Sequence, residues 1–273
     1  MALDLLKREL APIPPRAFAA IDGEAARVLK LNLAGRRLVD FRGPNGWELA
    51  AVNTGRLNLI PPEPDRENEG HVGIGIRQAQ PLVELRAPIR LPIMELDSIA
   101  RGAPDPDLRA VVEAAERIAR VEDDAIFNGL SAAGIVGILQ ATPHHAHKLP
   151  PDVTHLPRAI LTARETLRQA GVDGPYALAL DAAYTAQVLA AAEDGYPLSK
   201  RLTEEVLDGP LVRAAAIEGG VLLSVRGGDY ELTVGQDLSI GYAAHDRQTV
   251  ELYLTESFTF RVLETVAAVR LSR

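Results

Sequence analysis

The chain has 273 residues, of which 47% are hydrophobic, 24% are charged and none is cysteine, and its formal net charge is −8. This composition excludes a disordered, collagen-like or coiled-coil protein, and the lack of cysteine excludes disulfides, thiolate metal sites and a cysteine nucleophile. The acidic balance, with no basic block, argues against a nucleic-acid partner. No apolar run approaches the ~20 residues of a membrane helix, and the opening MALDLLKREL lacks the apolar stretch of an export signal. We therefore expect a cytoplasmic protein with no membrane partner.

The first predicted elements are an amphipathic helix and a short strand. In PPRAFAAIDGEAARVLKLNLAG the apolar residues recur at helical spacing. Pro14 and Pro15 suit the first turn of this helix, and Gly35 suits its end. The next segment, RRLVDF, predicts a strand.

Residues 43–80 predict an extended arm rather than a core element. The run PPEPDRENEGHV is rich in proline and then in charge, so it cannot be buried. The flanking runs WELAAV and IGIRQAQPLVELRAPIRLPI have the pattern of strands. We predict a two-stranded projection whose tip is mobile or covered by a partner.

The strongest helical signal lies in residues 105–129, DPDLRAVVEAAERIARVEDDAIFNG. Asp105 is the predicted N-cap and Gly129 the predicted end of this helix. The adjacent acids Asp123 and Asp124 are interpreted as part of its polar face, because a catalytic carboxylate pair would need tertiary support.

The second half of the chain changes character twice. Helical and strand patterns alternate from about residue 135 to 217, and residues 220–273 predict strands almost throughout. The predicted helices are LPRAILTARETLRQAG, DAAYTAQVLAAAE and LSKRLTEEVL, and the predicted strands are YALAL, GGVLLSV, YELTV, DLSIGY, TVELYLT and FTFRVL. A long helix, a projecting arm, a mixed region and a terminal sheet make the fold α+β.

The glycine-rich run RGGDYELTVGQDLSIGY, residues 226–242, lacks the spacing of a nucleotide-binding loop. Gly227 and Gly228 predict a hairpin turn, and Gly235 predicts a further turn or bulge. The histidines of HHAHK, residues 144–148, have neither metal-ligand spacing nor an acidic partner, so a solvated loop is favoured over a metal site. No catalytic constellation stands out, and we predict no catalytic residue and no metal.

Nine blocks spread along the chain form an ordered series: KRELAPI, GRRLVDFRGPNGWE, ELDSIARG, DDAIFNG, GPYALAL, GYPLSKR, DGPLVR, RGGDYELTVGQDLSIGY and ESFTFRVLE. Together they closely resemble the encapsulin family of nanocompartment shell proteins, over essentially the whole chain. The resemblance implies a fold of the Hong Kong 97 phage-capsid type. It implies a peripheral (P) domain over 1–42, 88–136 and 226–273, an extended E-loop over 43–87 and an axial (A) domain over 137–225. Part of the C-terminal strands can belong to the A domain.

The resemblance also implies a function that is not enzymatic. Such chains assemble with copies of themselves into an icosahedral compartment, here expected to have T=1 and sixty subunits, with larger lattices as the alternative. The compartment captures a cargo enzyme, such as a ferritin-like protein for iron storage or a dye-decolourising peroxidase, through its C-terminal targeting peptide. The positions that match the docking groove are Leu29, Arg36, Asp40, Asp237, Ile240 and Tyr242. Apolar members can bury peptide side chains and charged members can hold its backbone, while ordinary packing or an intrachain ion pair is the alternative for each.

The resemblance places AAEDGYPLSKR at the five-fold pore. The expected lining residues are Glu193, Asp194, Gly195 and Tyr196. Five-fold symmetry would turn one acid per subunit into a ring that favours cations. The alternative is a solvent-facing turn whose acids point away from the axis.

One position departs from the family. Some encapsulins bind a flavin against a tryptophan in the strand before ELD, and here the segment is LPIMELD, with Met94 in that place and Arg86 kept upstream. Because methionine has no broad ring for stacking, we expect no flavin and no other cofactor.

Two other functions stay open. A prophage major capsid protein that packages DNA would share the fold, although the acidic balance and the groove blocks disfavour it. A protease or bacteriocin activity has been described for relatives, but no nucleophile constellation in this sequence supports it.

Overall fold

The computed structural model describes residues 5–60, 73–193 and 195–273. The predicted tip of the arm, at 61–72, and Asp194 lie outside the described residues. The described helices are α1 (Pro15–Asn32), α2 (Ile93–Arg101), α3 (Arg109–Phe127), α4 (Ile138–Ala141), α5 (Leu156–Gln169), α6 (Ala182–Ala190) and α7 (Leu198–Arg201), which continues as a π-helical turn, Leu202–Leu207. None of these helices has the length and apolar character needed to cross a membrane.

The strands form two larger sheets and two hairpins. In chain order they are β1 (Asp40–Arg42), β2 (Ala51–Ile60), β3 (Ile74–Pro81), β4 (Val83–Pro92), β5 (His147–Lys148), β6 (Tyr176–Leu180), β7 (Ala192–Glu193), β8 (Tyr196–Pro197), β9 (Leu211–Arg213), β10 (Gly220–Ser224), β11 (Tyr230–Val234), β12 (Ser239–His245), β13 (Thr249–Val262) and β14 (Ala268–Ser272). The predicted α+β class is therefore confirmed.

Helix α1 packs against α3 and α2 and buries its apolar stripe in one hydrophobic core. Pro15 occupies its first turn, as predicted. The helix ends at Asn32 rather than near Gly35, because Gly35 begins a 3₁₀ turn, Gly35–Arg37, that lies against α3. A Cβ atom on Gly35 would lie 2.5 Å from Ile126 Cδ1, so any larger residue would have to displace this fully buried side chain.

Two predictions for α3 are wrong. The helix begins at Arg109, and the carboxylate of Asp107, not that of Asp105, accepts the Arg109 backbone N–H at 3.1 Å. Asp124 is exposed as expected, but Asp123 is 1% exposed and Glu122 beside it is 0% exposed. These two acids are buried because the turn after α1 covers their side of the helix.

The first sheet contains β1, β11, β13 and β12 in that order, and β4 also pairs with β13. Strand β13 is continuous over 14 residues, pairing with β12 near its start and with β11 near its end. The predicted break between TVELYLT and FTFRVL is therefore wrong. Glu256, at the expected break, lies in mid-strand with 0% exposure, where Arg36 Nη2 donates to its carboxyl group at 2.8 Å.

The second sheet has the order β5-β14-β10-β6-β9, and every residue of β6 and β10 is buried. The chain leaves this sheet through Gly227 and Gly228, which both have positive φ, and enters the first sheet at β11. The predicted hairpin turn at these glycines is wrong, because β10 and β11 belong to different sheets. Gly235 does lie in a turn, where its N–H donates to Ser257 O at 2.8 Å.

Strands β2 and β3 form a separate antiparallel arm, as predicted. The pairing runs from Ala51 with Pro81 to Ile60 with Ile74. The chain then enters the first sheet directly as β4, in which Val83 pairs with Phe258. The domain boundaries implied by the resemblance stay a prediction.

Candidate functional site

Arg36 is the centre of a network that joins four parts of the chain. From the turn after α1, its Nε donates to both oxygens of Glu122 on α3 at 2.9 Å, and its Nη2 donates to Glu122 Oε2 at 2.6 Å. The same Nη2 donates to Glu256 Oε2 on β13 at 2.8 Å, and Nη1 donates to Asp237 Oδ1 before β12 at 2.7 Å. With Asp123, described next, these residues are called the Arg36 cluster.

Asp123 fixes the backbone of the same turn. Its two carboxylate oxygens accept the N–H groups of Ala34 at 3.0 Å and Gly35 at 2.7 Å. Burial raises the pKa of Asp123 to about 7, although the two N–H bonds oppose this change.

The electrostatics of the Arg36 cluster follow from its burial. Burial alone would lower the pKa of Arg36, but the hydrogen bonds and charge of Glu122 raise it above its ordinary value. Burial, followed by the charge of Glu122, raises the pKa of Glu256 well above its ordinary range. Arg36 is therefore always charged, whereas the carboxyl groups around it compete for one cation.

The structure brings some predicted groove residues together. Arg36 and Asp237 form a direct ion pair. Leu29 and Ile240 lie in one hydrophobic core, with exposures of 8% and 2%, and Tyr242 packs against its edge.

Asp40 lies apart from this network. Its Oδ2 accepts the Gly228 N–H at 2.6 Å, so it holds the glycine turn between the two sheets.

Sequence reasoning missed Glu122 and Glu256 as members of this site. A signal existed for Glu122, which lies four residues after Ile118 and four before Ile126, and so falls on the apolar stripe of α3. A weaker signal existed for Glu256, which lies in phase with the buried residues Leu252 and Leu254 of β13.

The N-terminal segment covers the free edge of β12. Tyr242 N–H donates to Leu6 O at 2.8 Å, and Tyr253 Oη donates to Leu5 O at 3.2 Å. A recess of about 330 Å³ opens beside this segment. Its lining residues are Leu5, Lys7, Trp47, Glu84, Arg86, Tyr242, Ala243 and Tyr253.

The predicted pore residues lie in the small hairpin of β7 and β8. Gly195 has φ +81° at its turn, Glu193 forms an ion pair with Arg201, and Tyr196 Oη donates to Glu204 Oε2 at 2.7 Å. Asp194 lies outside the described residues.

Met94 does not lie in a strand, because β4 ends at Pro92 and Met94 occupies the first turn of α2. Its side chain is 75% exposed. Arg86 lies over the ring of Tyr253, with its Cζ atom 4.7 Å from the ring centroid, and pairs with Glu84 at 2.8 Å.

The histidine run is more ordered than a solvated loop. His144 Nε2 lies 3.0 Å from Val266 O, and His147 begins β5, which pairs with β14. Within the described ranges, no group of three or more histidine or acidic side chains is arranged to hold a metal ion.

A family model described as "Encapsulating protein for peroxidase" matches residues 3–259 of the chain. The type 1 encapsulin shell protein of Rhodospirillum rubrum is 46% identical over 268 residues, which cover 97% of this chain and 95% of that protein. A virus-like particle from Pyrococcus furiosus has a similar structure, with a TM-score of 0.64, 16% identity and coverage of 92% of this chain and 98% of that one. A structure from Mycobacterium phage Bobi has a TM-score of 0.54 and 15% identity, and covers 88% of this chain and 90% of that one. The chain has the α+β fold of Hong Kong 97-type capsid proteins, and by these matches over nearly its whole length it belongs to the encapsulin family of shell proteins.

Proposed function

We propose that this shell protein builds a closed T=1 compartment of sixty subunits. The exposed apolar surface of the β2–β3 arm is the observation that supports this assembly. Leu57, Leu59, Ile60, Ile74 and Ile76 are each between 47% and 71% exposed. An isolated two-stranded arm with this much exposed apolar surface is not stable in water. Contact with neighbouring copies would cover it.

The register of the arm supports contact with neighbours on both of its faces. Ile60 pairs with Ile74, so these side chains share one face with Ile76, while Leu57 and Leu59 lie on the other face over Gly75. A surface that is apolar on both sides fits between neighbours, and head-to-tail contacts that close produce a symmetric shell.

We further infer that the cargo tail docks beside β12 and the end of α1. Leu29 and Ile240 are already packed in the core, and Arg36 is already paired, so these residues form the floor and frame of the site rather than its free surface. Asp237, with 39% side-chain exposure, and the partly exposed Tyr242 are the members that a tail can reach. The description of the matching family model favours a peroxidase as cargo, with a ferritin-like protein as the alternative.

The docking proposal is tested by loading. The C-terminal tail of an enzyme encoded beside the shell gene is fused to a fluorescent protein and co-expressed with the shell. We expect fluorescence to copurify with wild-type shells and to fall at least tenfold with the Tyr242→Ala or Asp237→Ala shell. The exposed Glu251→Gln shell on the neighbouring strand serves as the control, and equal loading of all four shells would contradict the site.

The β7–β8 hairpin is proposed to line the five-fold pore and to admit cations. Glu193 is paired with Arg201, so its charge is partly neutralised within the chain. Asp194 is therefore the residue proposed to set the charge of the ring.

A prophage capsid is the second candidate, favoured by the fold that the chain shares with the phage structure. The 46% identity to a named encapsulin shell protein, over 97% of this chain, supports the compartment instead. It also supports a cytoplasmic, non-enzymatic role. Particles purified without added cargo distinguish the two candidates, because a compartment would contain no DNA protected from nuclease.

A further inference from the structure

The Arg36 cluster contains more acid than one cation can neutralise. Four carboxyl groups surround Arg36, and within the described part of the chain no other cation donates to any of them. Glu122 and Glu256 are 0% exposed and Asp123 is 1% exposed. A buried carboxylate without its own cation is strongly disfavoured, so this arrangement requires at least one of the acids to be neutral.

The geometry indicates where the proton lies. Glu122 Oε2 and Glu256 Oε2 both contact the same nitrogen, Arg36 Nη2, so the two carboxyl groups are neighbours. Glu256 Oε1 is buried and has no hydrogen-bond donor. Two adjacent carboxylates cannot both be charged at low cost, whereas one shared proton removes a charge. A buried Oε1 without a donor also costs less on a neutral carboxyl group than on a carboxylate.

We propose that the Arg36 cluster is a proton-dependent clamp, which holds the turn after α1 against α3 and β13 while the Glu122–Glu256 pair keeps one proton. When hydroxide removes that proton at alkaline pH, the pair becomes two buried carboxylates that share one guanidinium. Their repulsion opens the contacts of Arg36 and frees the turn.

The neighbouring elements do not offer a second cation that would absorb this charge. The turn after α1 contributes Arg36, helix α3 contributes Glu122 and Asp123, and the segment before β12 contributes Asp237. On β4, Leu85 lies opposite Glu256.

The charged residues on either side of Leu85 do not change this balance. Glu84 and Arg86 alternate with Leu85 and so point to the other face of the sheet, where they pair with each other at 2.8 Å. Loss of the proton therefore adds a negative charge to a group of acids held by one arginine. The clamp operates within one chain, whether or not a cargo tail docks beside it.

The test is hydrogen exchange in the assembled protein between about pH 7.5 and about pH 9.5, where Asp123 is already largely ionised. After correction for the intrinsic exchange rate, we expect the opening constant of segment 34–38 to rise about tenfold per pH unit in the wild type, as loss of one proton requires. Glu256→Gln keeps the shape of the side chain and needs no proton, so its opening constant should stay flat. Glu251→Gln, an exposed change on the same strand, should behave like the wild type. Equal pH slopes in the wild type and Glu256→Gln would overturn the clamp.

A second measurement does not depend on any variant. Infrared spectra of the wild-type protein at about pH 8, above the pKa of about 7 for Asp123, should contain the carbonyl band of a buried, protonated carboxyl group that disappears at higher pH. The absence of this band would overturn the clamp even if Glu256→Gln fails to fold.

Discussion

Arg36 Nη2 donates to Glu256 Oε2 at 2.8 Å, although the two residues are 220 positions apart in the chain. This bond joins the turn after α1 to the middle of β13, and Glu122 connects α3 to the same guanidinium. Three distant parts of the sequence therefore meet at one side chain, which fixes the first helix on the first sheet.

Removing the Arg36 side chain should destabilise the fold strongly, because two buried acids depend on it. Arg36→Ala leaves Glu122 and Glu256 buried without a cation, and we expect a loss of about 3–5 kcal/mol in the free energy of unfolding. The shift of the denaturant midpoint measures this loss. Arg37→Ala, at the adjacent exposed residue, should change the midpoint little, and equal shifts for the two variants would refute the role of the cluster.

Adding a single methyl group at Gly35, in the same turn, should destabilise the fold. Gly35→Ala brings a Cβ atom to 2.5 Å from Ile126 Cδ1, and we expect a loss of about 1–3 kcal/mol from overpacking. Gly23→Ala, on the exposed side of α1 with no atom within 4 Å of the new Cβ, should instead gain about 0.5–1 kcal/mol. Thermal unfolding of the two variants gives the comparison, and the prediction fails if both shift in the same direction.

Charges on the arm should block assembly without unfolding the chain. Leu59→Asp and Ile76→Asp each put a carboxylate on one apolar face of the arm, which would then have to be desolvated in the contact between copies. We expect small oligomers by size-exclusion chromatography and an unchanged far-ultraviolet circular dichroism spectrum. Gln187→Glu, which adds a charge at an exposed position on α6 away from the arm, should still assemble. If Leu59→Asp assembles equally well, the arm is not the assembly device.

Acid should weaken the second sheet through Asp181. Burial opposes its ionisation, but bonds from the Tyr184 and Gly219 N–H groups and from Arg273 lower the pKa of Asp181 below its ordinary value. Its contribution is thus complete above the unfolded-state pKa and is lost as the pH falls through the lower folded-state pKa.

Asp181→Ala should therefore cost about 1–2 kcal/mol at neutral pH, as loss of the α6 N-cap predicts. The difference from the wild type should shrink as the pH falls below about 4. Unfolding curves at several pH values measure it. A difference that is independent of pH would show that Asp181 acts through packing alone.

The pore proposal predicts a change in cation entry. Asp194→Asn should slow the entry of a divalent cation into assembled shells, because the ring of negative charge is lost. A metal-sensitive fluorescent protein enclosed in the shell measures the rate of entry. Glu113→Gln, an exposed acid on α3, is the matched control. If neither Asp194→Asn nor the double variant with Glu193→Gln and Asp194→Asn changes the rate of cation entry, the hairpin does not control it.

Local patterns predicted much of the fold. The spacing of apolar residues located α1 and most of α3, and alternation located the arm and most strands of the terminal sheet, because these signals depend on neighbours a few residues apart. The end of α1 was misplaced because Gly35 serves a contact with Ile126 rather than a helix stop. The resemblance supplied the family, which local patterns alone do not contain.

The centre of the site could not be predicted in the same way. Glu256 suggested a turn because acids are rarely buried, and only its partner Arg36, far away in sequence, makes the burial tolerable. Asp123 suggested a polar face for the same reason, although it accepts two backbone N–H groups of the turn after α1. Sequence patterns describe neighbours along the chain, whereas this site is made by contacts between distant segments.

The most direct test of the shell function is cryo-electron microscopy of the protein purified alone, with mass photometry of the same sample. Uniform closed particles of sixty subunits, with the β2–β3 arm of each chain covered on both faces by its neighbours, are the predicted result. A stable monomer or small oligomer with an uncovered arm would contradict the account.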